Sequence, residues 1–363
     1  MPRPYTDFLR VEDREFYSLD EVTSHIHSNV DYDKIQGDLS VIGSVSDFRG
    51  REEFVESLQP HFSIEKQSGD LYLLNSRKLD VPYYVYVSEE FPIFLTTGRK
   101  TQDFPETIDA YLKAERNIGR MWISKTDMED LRQQIIREYP EVIIPYFTAS
   151  RSKHSEIQAR RRPRHKRTIQ YYGNDGRETF EEMKYEYGVL PTNLKFQRAN
   201  EFKLRVTTRG VFTIKDGGLE EVFEVIEDSI ERLKEVKNAI DDSGFTFRTN
   251  KFNERRTMPL SRPWAIQLSE SLDGADARQF EDEEALNEWE FDLGDIDYSF
   301  IEGRSYFSAE FVDERTLGKT ILRSKDGAIR VYPREETGID QSLRVFEFLN
   351  DQIDPNSYAT PVV

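Results

Sequence analysis

Cationic side chains are concentrated in one stretch, residues 151–167, and their chemistry is that of anion binding. This basic segment holds a single acid, Glu156, against six arginines and two lysines: Arg151, Lys153, Arg160, Arg161, Arg162, Arg164, Lys166 and Arg167. Its net charge is +7, while the whole chain carries −18, which leaves −25 on the remaining residues. Because like charges repel, such a cluster indicates a polyanionic partner or an acidic surface of the same chain.

Two tyrosines follow the basic segment and add a second kind of contact. Arginine and lysine neutralise phosphates, while the rings of Tyr171 and Tyr172 can stack on unpaired bases. The run 160–162 precedes Pro163, which disfavours regular helix, so we expect these three guanidinium groups to point outward. The sequence thus predicts a DNA- or RNA-binding protein, a regulator or an accessory to nucleic-acid processing. Its predicted contact residues are the eight cations and the two tyrosines.

An acidic segment, residues 273–302, supports a different interpretation of the same charges. It holds twelve acids and one arginine, a net charge of −11. Docking of the basic segment onto it would make the chain a scaffold or interaction protein, with 273–302 as a surface for a protein partner. An acidic element can also mask a basic one until nucleic acid displaces it, so the two interpretations are compatible.

Residues with catalytic or metal-binding side chains form only weak patterns. The sequence lacks the motifs GxxxxGK[ST], GxSxG, HExxH and GxGxxG. Asp175, Glu182 and Lys184 are residue types of a metal-dependent nuclease, but they fall on a predicted helix instead of one strand face. His25 and His27 alternate as on a strand, without a third ligand at a convincing spacing. A nuclease assembled from dispersed carboxylates stays an alternative, and no metal site or cofactor is predicted.

The composition indicates the habitat. The 68 acids outnumber the 50 bases, and 33 of the bases are arginine, which is more weakly hydrated than lysine. Salt at 1 M shortens the Debye length to about 3 Å and so weakens the self-repulsion of an acidic surface. We therefore expect a protein of a halophile's cytoplasm, with no membrane contact, since neither a signal peptide nor a bilayer-spanning apolar run is evident. The absence of cysteine excludes disulfides and thiolate chemistry.

Hydrophobic spacing predicts strands followed directly by a helix, at residues 81–117, 201–241 and 306–353. The helix over 219–240 has the clearest period, with Phe223, Ile226, Ile230 and Leu233 among its apolar positions. The fold class is therefore α/β to α+β, with mixed sheets built from hairpin-plus-helix units in two or three lobes. We expect an N-terminal α+β lobe at 1–118, a central α/β lobe at 119–250 that carries the basic segment, and a C-terminal α+β lobe at 251–363.

The stretch before the basic segment follows the pattern of a βαβ unit. Residues 120–124 and 141–148 are predicted strands, and the helix between them begins with a capping box of Thr126 and Glu129. If this unit is a parallel crossover, the basic segment leaves from the carboxyl end of a strand, where open α/β sheets usually bind ligands. Residues 251–260 are expected to be a linker.

Overall fold

The computed structural model describes residues 11, 14–30, 38–88, 90–151, 157–162, 165–250, 253–269, 278–301, 304–325 and 327–362. Contacts within the chain cluster into two compact units. Among the described residues, the first unit runs to 151 and from 157 to 230, and the second begins at 231. Helices and antiparallel sheets occur together in both units, and the fold is α+β.

The larger sheet has eleven strands and belongs to the first unit. Its order is β2-β3-β4-β5-β1-β11-β10-β9-β7-β8, with β6 paired to β1. These strands are β1 (Leu39–Ser46), β2 (Phe62–Ser68), β3 (Leu71–Ser76), β4 (Pro82–Tyr86), β5 (Ile93–Thr96), β6 (Ile118–Arg120), β7 (Ile143–Arg151), β8 (Arg167–Tyr172), β9 (Leu190–Arg198), β10 (Phe202–Thr207) and β11 (Val211–Asp216). The predicted segments 1–118 and 119–250 both contribute strands to this sheet, and the division into three lobes stays a prediction.

The helices of the first unit are α1 (Leu19–Asn29), α2 (Arg51–Leu58), α3 (Ile108–Ala114), α4 (Lys125–Glu138), α5 (Gly176–Tyr187) and the beginning of α6 (Leu219–Asp241). Side chains from α2 and α3 join one hydrophobic core with strands β1 to β5, in which Phe54 and Tyr111 lie among Ile42, Phe62 and Phe94. Because alternate residues of a strand point to opposite faces, the side chains that each strand contributes to this core come mostly from alternate positions, as Tyr72 and Leu74 do on β3.

The second unit contains a six-stranded sheet and a two-stranded ribbon. The sheet order is β15-β16-β17-β18-β14-β19, and the ribbon pairs β12 with β13. The strands are β12 (Gly244–Asn250), β13 (Asn253–Arg262), β14 (Trp264–Gln267), β15 (Phe291–Ile301), β16 (Arg304–Asp313), β17 (Lys319–Lys325), β18 (Ala328–Tyr332) and β19 (Tyr358–Pro361), with helices α7 (Glu283–Glu288) and α8 (Ile339–Gln352). Phe348 of α8 contacts Phe280, Trp289 and Phe311, so an aromatic cluster joins the helix to its sheet.

Several predicted elements are confirmed and several are wrong. The hairpins β4–β5 and β10–β11 form within the predicted units 81–117 and 201–241. The parallel crossover is wrong, since every named strand pair among the described residues is antiparallel and β6 pairs with β1 instead of β7. The linker is also wrong, because β13 covers most of it and pairs with β12.

The start of α4 shows why the predicted capping box fails. The Oγ of Ser124 accepts a hydrogen bond from the backbone N–H of Asp127 at 3.0 Å, so the cap lies two residues before Thr126. Glu129 instead turns inward and is 5% exposed. Its carboxylate accepts hydrogen bonds from Arg132 and Lys184, which join α4 to α5. Ser124 supplies the local cap, and Glu129 serves a tertiary ion pair instead of a capping box.

The helix α6 has the predicted extent and most of the predicted burial. Phe223, Ile226 and Leu233 are buried, whereas Ile230 is only half-buried, so its place in the core was predicted wrongly. Within the described part of the chain, no helix is both long enough and apolar enough to cross a membrane.

Candidate nucleic-acid interface

The basic segment connects two paired strands at the edge of the larger sheet. Strand β7 ends at Arg151, β8 begins at Arg167, and these two residues are partners in the ladder. Both ends of the segment are therefore anchored in strands. Lys153 and Arg164 lie outside the described residues.

Arg151 is committed to contacts within the hairpin. It is buried, and its Nη1 donates hydrogen bonds to the carbonyl oxygens of Ile157 at 2.6 Å and Gly188 at 3.2 Å. Gly188 has φ of +61°, and a Cβ there would collide with the Arg151 guanidinium. Burial and the charge of Arg167 lower the pKa of Arg151. This arginine therefore joins the basic segment to the C-terminal end of α5.

The next arginines are exposed and rest on the C-terminal end of α5. Arg161 Nε donates to Glu186 Oε2 at 2.8 Å, and Arg160 Nη1 lies 3.8 Å from the same carboxylate. The Arg160 guanidinium also lies 4.6 Å from the ring centroid of Tyr185. Arg162 is exposed, with φ of +49°. Since these exposed ion pairs are worth little, Arg160 and Arg161 can exchange them for other anions at small cost.

The last two cations of the segment are half-buried. The guanidinium of Arg167 lies 4.1 Å from the ring centroid of Tyr187, while Lys166 directly precedes β8. Both therefore border the sheet, whereas the exposed arginines lie along α5.

The two predicted tyrosines point to opposite faces of β8, as neighbours on a strand must. Tyr171 stacks on Phe147, with ring centroids 5.1 Å apart, and its hydroxyl donates to Asp175. Tyr172 is 73% exposed and lies against Tyr146, with centroids 4.7 Å apart. The ring and the hydroxyl of Tyr171 thus both have partners within the unit, while Tyr172 presents its ring to solvent.

Tyr172 belongs to a polar surface that the sequence analysis missed. Directly opposite residues in an antiparallel ladder share a face, so pairing defines rows of side chains across the strands. We call this surface the polar face. Its first row is Tyr172, Tyr146, Lys195, Arg205 and Thr213, and its second is Gln170, Thr148, Asn193 and Thr207, carried by β8, β7, β9, β10 and, for Thr213, β11.

Hydrogen bonds and ring contacts fix the first row. Arg205 Nε donates to Asn193 Oδ1 at 2.8 Å, and its guanidinium lies 5.0 Å from the ring centroid of Tyr146. Gln170 Nε2 donates to the Tyr172 hydroxyl at 2.8 Å. The result is a guanidinium and two tyrosine rings side by side, the kind of surface on which bases stack.

The other face of these strands is apolar and is packed against helices. Phe147 of β7 contacts Phe180 of α5, with centroids 5.2 Å apart, and Phe202 of β10 contacts Tyr139 just after α4. Leu194 and Val206 are fully buried on this side. The alternation of buried and half-buried residues along β9 and β10 therefore separates a core face from the polar face.

The electrostatics of the polar face are unusual for so acidic a chain. Among the described residues, neither Lys195 nor Arg205 forms an ion pair with a carboxylate. Arg205 has a neutral partner in Asn193, so its charge remains available. An unpaired cation beside aromatic rings attracts anions, above all phosphates attached to stacking bases.

The residue types of the nuclease alternative have other roles. Asp175 accepts a hydrogen bond from the Tyr171 hydroxyl, and Lys184 Nζ lies 2.6 Å from Glu129 Oε1. Within the described residues, no group of three or more His, Asp or Glu side chains is placed to hold a metal ion. The nuclease hypothesis therefore has no assembled site in this part of the chain.

The histidine pair does not lie on a strand, so that prediction is wrong. Both residues are in helix α1. His25 is buried, with its ring 5.0 Å from that of Phe16, while exposed His27 lies 3.6 Å from Glu220. Residues two apart on a helix do not share a face.

A signal for the polar face exists in the sequence but needs the strand order to be used. The strands of residues 143–151, 190–198 and 202–207 place polar side chains at alternate positions, which predicts a solvated face. Only the order β8-β7-β9-β10 brings Tyr146 and Arg205 together, because they are far apart in the chain.

Comparison with known proteins gives a similarity without a functional description. A protein-family model described as a family middle domain matches residues 126–209, which include the basic segment and the first row of the polar face except Thr213. An uncharacterized protein of Archaeoglobus fulgidus is 27% identical over 338 residues, which cover 89% of this chain and 90% of that protein. No solved structure matches the chain.

Proposed function

We propose that this protein binds single-stranded nucleic acid on the polar face of its larger sheet, with the exposed arginines 160–162 as further phosphate contacts. The observation that carries the proposal is the row of Arg205, Tyr146 and Tyr172, in which a guanidinium without an ion pair among the described residues lies near the ring of Tyr146, and that ring contacts Tyr172. Single strands expose the π-faces of their bases, which such rings bind regardless of sequence. In a duplex the π-faces of the bases are stacked on one another, so these rings have no base to stack on.

The proposal narrows the set of contact residues. Tyr172 and the exposed arginines remain from the sequence-based set, and Tyr146, Lys195 and Arg205 join them. Arg151 and Tyr171 support the fold instead. The Arg151 guanidinium is hydrogen-bonded to carbonyl oxygens, and the Tyr171 ring stacks on Phe147. The proposed setting is a salt-rich cytoplasm, and in it stacking and bidentate arginine contacts matter most, since salt screens simple charge attraction.

The test is binding of fluorescently labelled oligonucleotides, followed by anisotropy over a range of KCl concentrations. Tyr172→Ala should weaken single-strand binding by the stacking energy of one base, about 1–3 kcal/mol, without changing the salt slope. Arg205→Ala should weaken it and also reduce the log–log salt slope by about 0.7, the value for one phosphate on a single strand. DNA and RNA oligonucleotides of the same sequence are compared throughout.

Matched controls come from the second unit. Arg323 lies 5.4 Å from the ring centroid of Tyr332, so Arg323→Ala removes a similar cation–ring pair elsewhere. Tyr358 is an exposed tyrosine like Tyr172, and Tyr358→Ala should leave binding unchanged. Absence of binding to any oligonucleotide refutes the proposal, and equal effects of the polar-face and control variants assign the binding to another surface. Cleavage of the oligonucleotide with added Mg²⁺ would favour the nuclease alternative.

A further inference from the structure

Lys100 follows Thr96 by four residues, at the end of the first row of the polar face. Thr96 pairs with Ser40, and Ser40 pairs with Thr213, so the connection that carries Lys100 leaves the sheet from this row. Lys100 is half-buried on the connection after β5, and among the described residues it forms no ion pair.

Burial, together with the charges of Arg205 and Arg120, lowers the pKa of the Lys100 ammonium to about 7. Asp38 opposes this effect weakly. A lysine kept among cations in a chain of net charge −18 needs a physical reason.

The connection that carries Lys100 is held in place by hydrogen bonds. The backbone N–H of Gly98 donates to Thr96 Oγ1 at 3.0 Å, and that of Arg99 donates to Asp103 Oδ2 at 2.8 Å. Asp103 is itself buried. The position of Lys100 is therefore set by the loop and the strand before it.

A buried hydroxyl without a partner lies next to Arg205. Thr213 is its direct neighbour in the β10–β11 ladder and is 8% exposed. Its Oγ1 has no hydrogen-bond partner among the described protein atoms. Leaving a buried hydroxyl unpaired costs about 1–3 kcal/mol, so a donor at this position is expected to have an acceptor to bind.

Arg120 and Asp38, the other charged groups that act on Lys100, have partners of their own. Arg120, on β6, is paired with Asp109, and Asp38, just before β1, lies 3.6 Å from Lys215. Arg205 bonds to neutral Asn193 through Nε, so its terminal nitrogens are not used by that contact. Lys100, Arg205 and Thr213 thus supply an ammonium, a guanidinium and a hydroxyl donor.

We propose that Lys100, Arg205 and Thr213 form a binding site for a phosphate group. A tetrahedral dianion accepts several hydrogen bonds and neutralises two cations, and guanidinium groups bind it with two parallel bonds. The same Arg205 lies over the ring of Tyr146, so a phosphate held here has a stacking surface for its base alongside. This site deepens the proposed function. The sulfate experiment is independent of that function, and the oligonucleotide experiment rests on it. The phosphate is either a free one or one of a nucleic acid.

The first experiment titrates the whole protein with sulfate at constant ionic strength by isothermal calorimetry, from pH 6 to pH 8. Sulfate stays a dianion over this range, so any pH dependence belongs to the protein. Because only charged Lys100 binds well, the affinity should fall about tenfold from pH 6 to pH 8, as expected for a free-state pKa of about 7. Proton uptake should accompany binding at pH 8.

Variants separate this site from general charge effects. Lys100→Met should weaken sulfate binding and remove its pH dependence, whereas Lys100→Arg should keep binding at pH 8 and also remove the pH dependence. Thr213→Val should weaken binding without lowering the melting temperature, since the hydroxyl has no protein partner to lose. Lys319, which is paired with Glu310, provides the control Lys319→Met. Equal sulfate affinity in Lys100→Met and Lys319→Met would overturn the site.

Oligonucleotides distinguish the two sources of phosphate. If the site takes a terminal phosphate, a 5′- or 3′-phosphorylated single strand should bind more tightly than its hydroxyl counterpart, and sulfate should compete with it. If it takes an internal phosphate, sulfate should compete equally with both strands. Sulfate binding without oligonucleotide binding assigns the site to a free phosphate compound and refutes the proposed function alone. Oligonucleotide binding without saturable sulfate binding refutes the phosphate site alone.

Discussion

Replacing Glu129 by Gln tests how much a buried ion cluster behind the polar face contributes to the stability of the first unit. The Glu129 carboxylate is 5% exposed and bonds Arg132 Nε at 2.8 Å and Lys184 Nζ at 2.6 Å. Arg132 is 2% exposed and lies 4.5 Å from the ring centroid of Phe180. Because Phe180 contacts Phe147, this ion cluster lies directly behind β7.

The expected loss of stability is large because Gln preserves shape but leaves buried cations uncompensated. Removing one partner of a buried ion pair typically costs about 3–5 kcal/mol. The matched control is Glu181→Gln, which removes another carboxylate bonded to the same Arg132. Glu181 is 59% exposed, so solvent screening should limit its cost to about 0–1 kcal/mol.

Unfolding in urea, followed by circular dichroism at several pH values, measures both costs. Burial alone would raise the pKa of Glu129, but hydrogen bonds and charge from Arg132, with a further hydrogen bond from Lys184, lower it overall. Stability from a lowered carboxyl pKa is present above the unfolded value and is lost as the pH falls through the folded value. The difference between wild type and Glu129→Gln should therefore shrink in acid. Equal costs for the two variants at neutral pH would refute this reasoning.

Three further predictions concern the core, the surface charge and the basic segment. Ile226→Ala should cost about 2–5 kcal/mol in urea unfolding, and Ile230→Ala less than Ile226→Ala, because Ile226 is fully buried and Ile230 is not. The melting temperature should rise steeply from dilute to molar KCl, since salt screens the excess acid, and a flat profile would contradict a halophilic origin. Changing Arg160, Arg161 and Arg162 together to Glu should abolish oligonucleotide binding at moderate salt, measured by anisotropy. The melting temperature should change little, because these side chains are exposed, and a large decrease would support the scaffold alternative instead.

Local patterns were sufficient to predict the hairpins and the long helix. Apolar alternation around Gly69 predicts β2–β3, and the positive φ of that glycine, +65°, is what the tight turn requires. The helical period over α6 predicts its extent. These signals depend on neighbours in the chain, and a single sequence contains them in full.

The pairing of strands that are distant in the chain could not be predicted from the sequence. The strand order cannot be read from residue patterns, and without it Tyr146 and Arg205 have no reason to be considered together. Glu129 shows the same limit, because a pattern typical of a cap was used for a tertiary ion pair with α5. The run of positive charge located one candidate segment but not the aromatic row beside it.

The cations at the polar face differ from other cations of the chain in the residues that lie next to them. With 68 acids for 50 bases, a carboxylate could accompany every cation, and two buried arginines do have one, Arg132 with Glu129 and Arg344 with Asp313. Arg205 instead has an amide and a ring, while Lys100 has cations as its strongest electrostatic neighbours. A carboxylate at either position would compete with an incoming phosphate and add a desolvation cost to its binding. In the proposed phosphate site, Arg205 has no carboxylate among the described residues to give up, and Lys100, whose pKa is lowered to about 7, would regain its full charge as the anion binds.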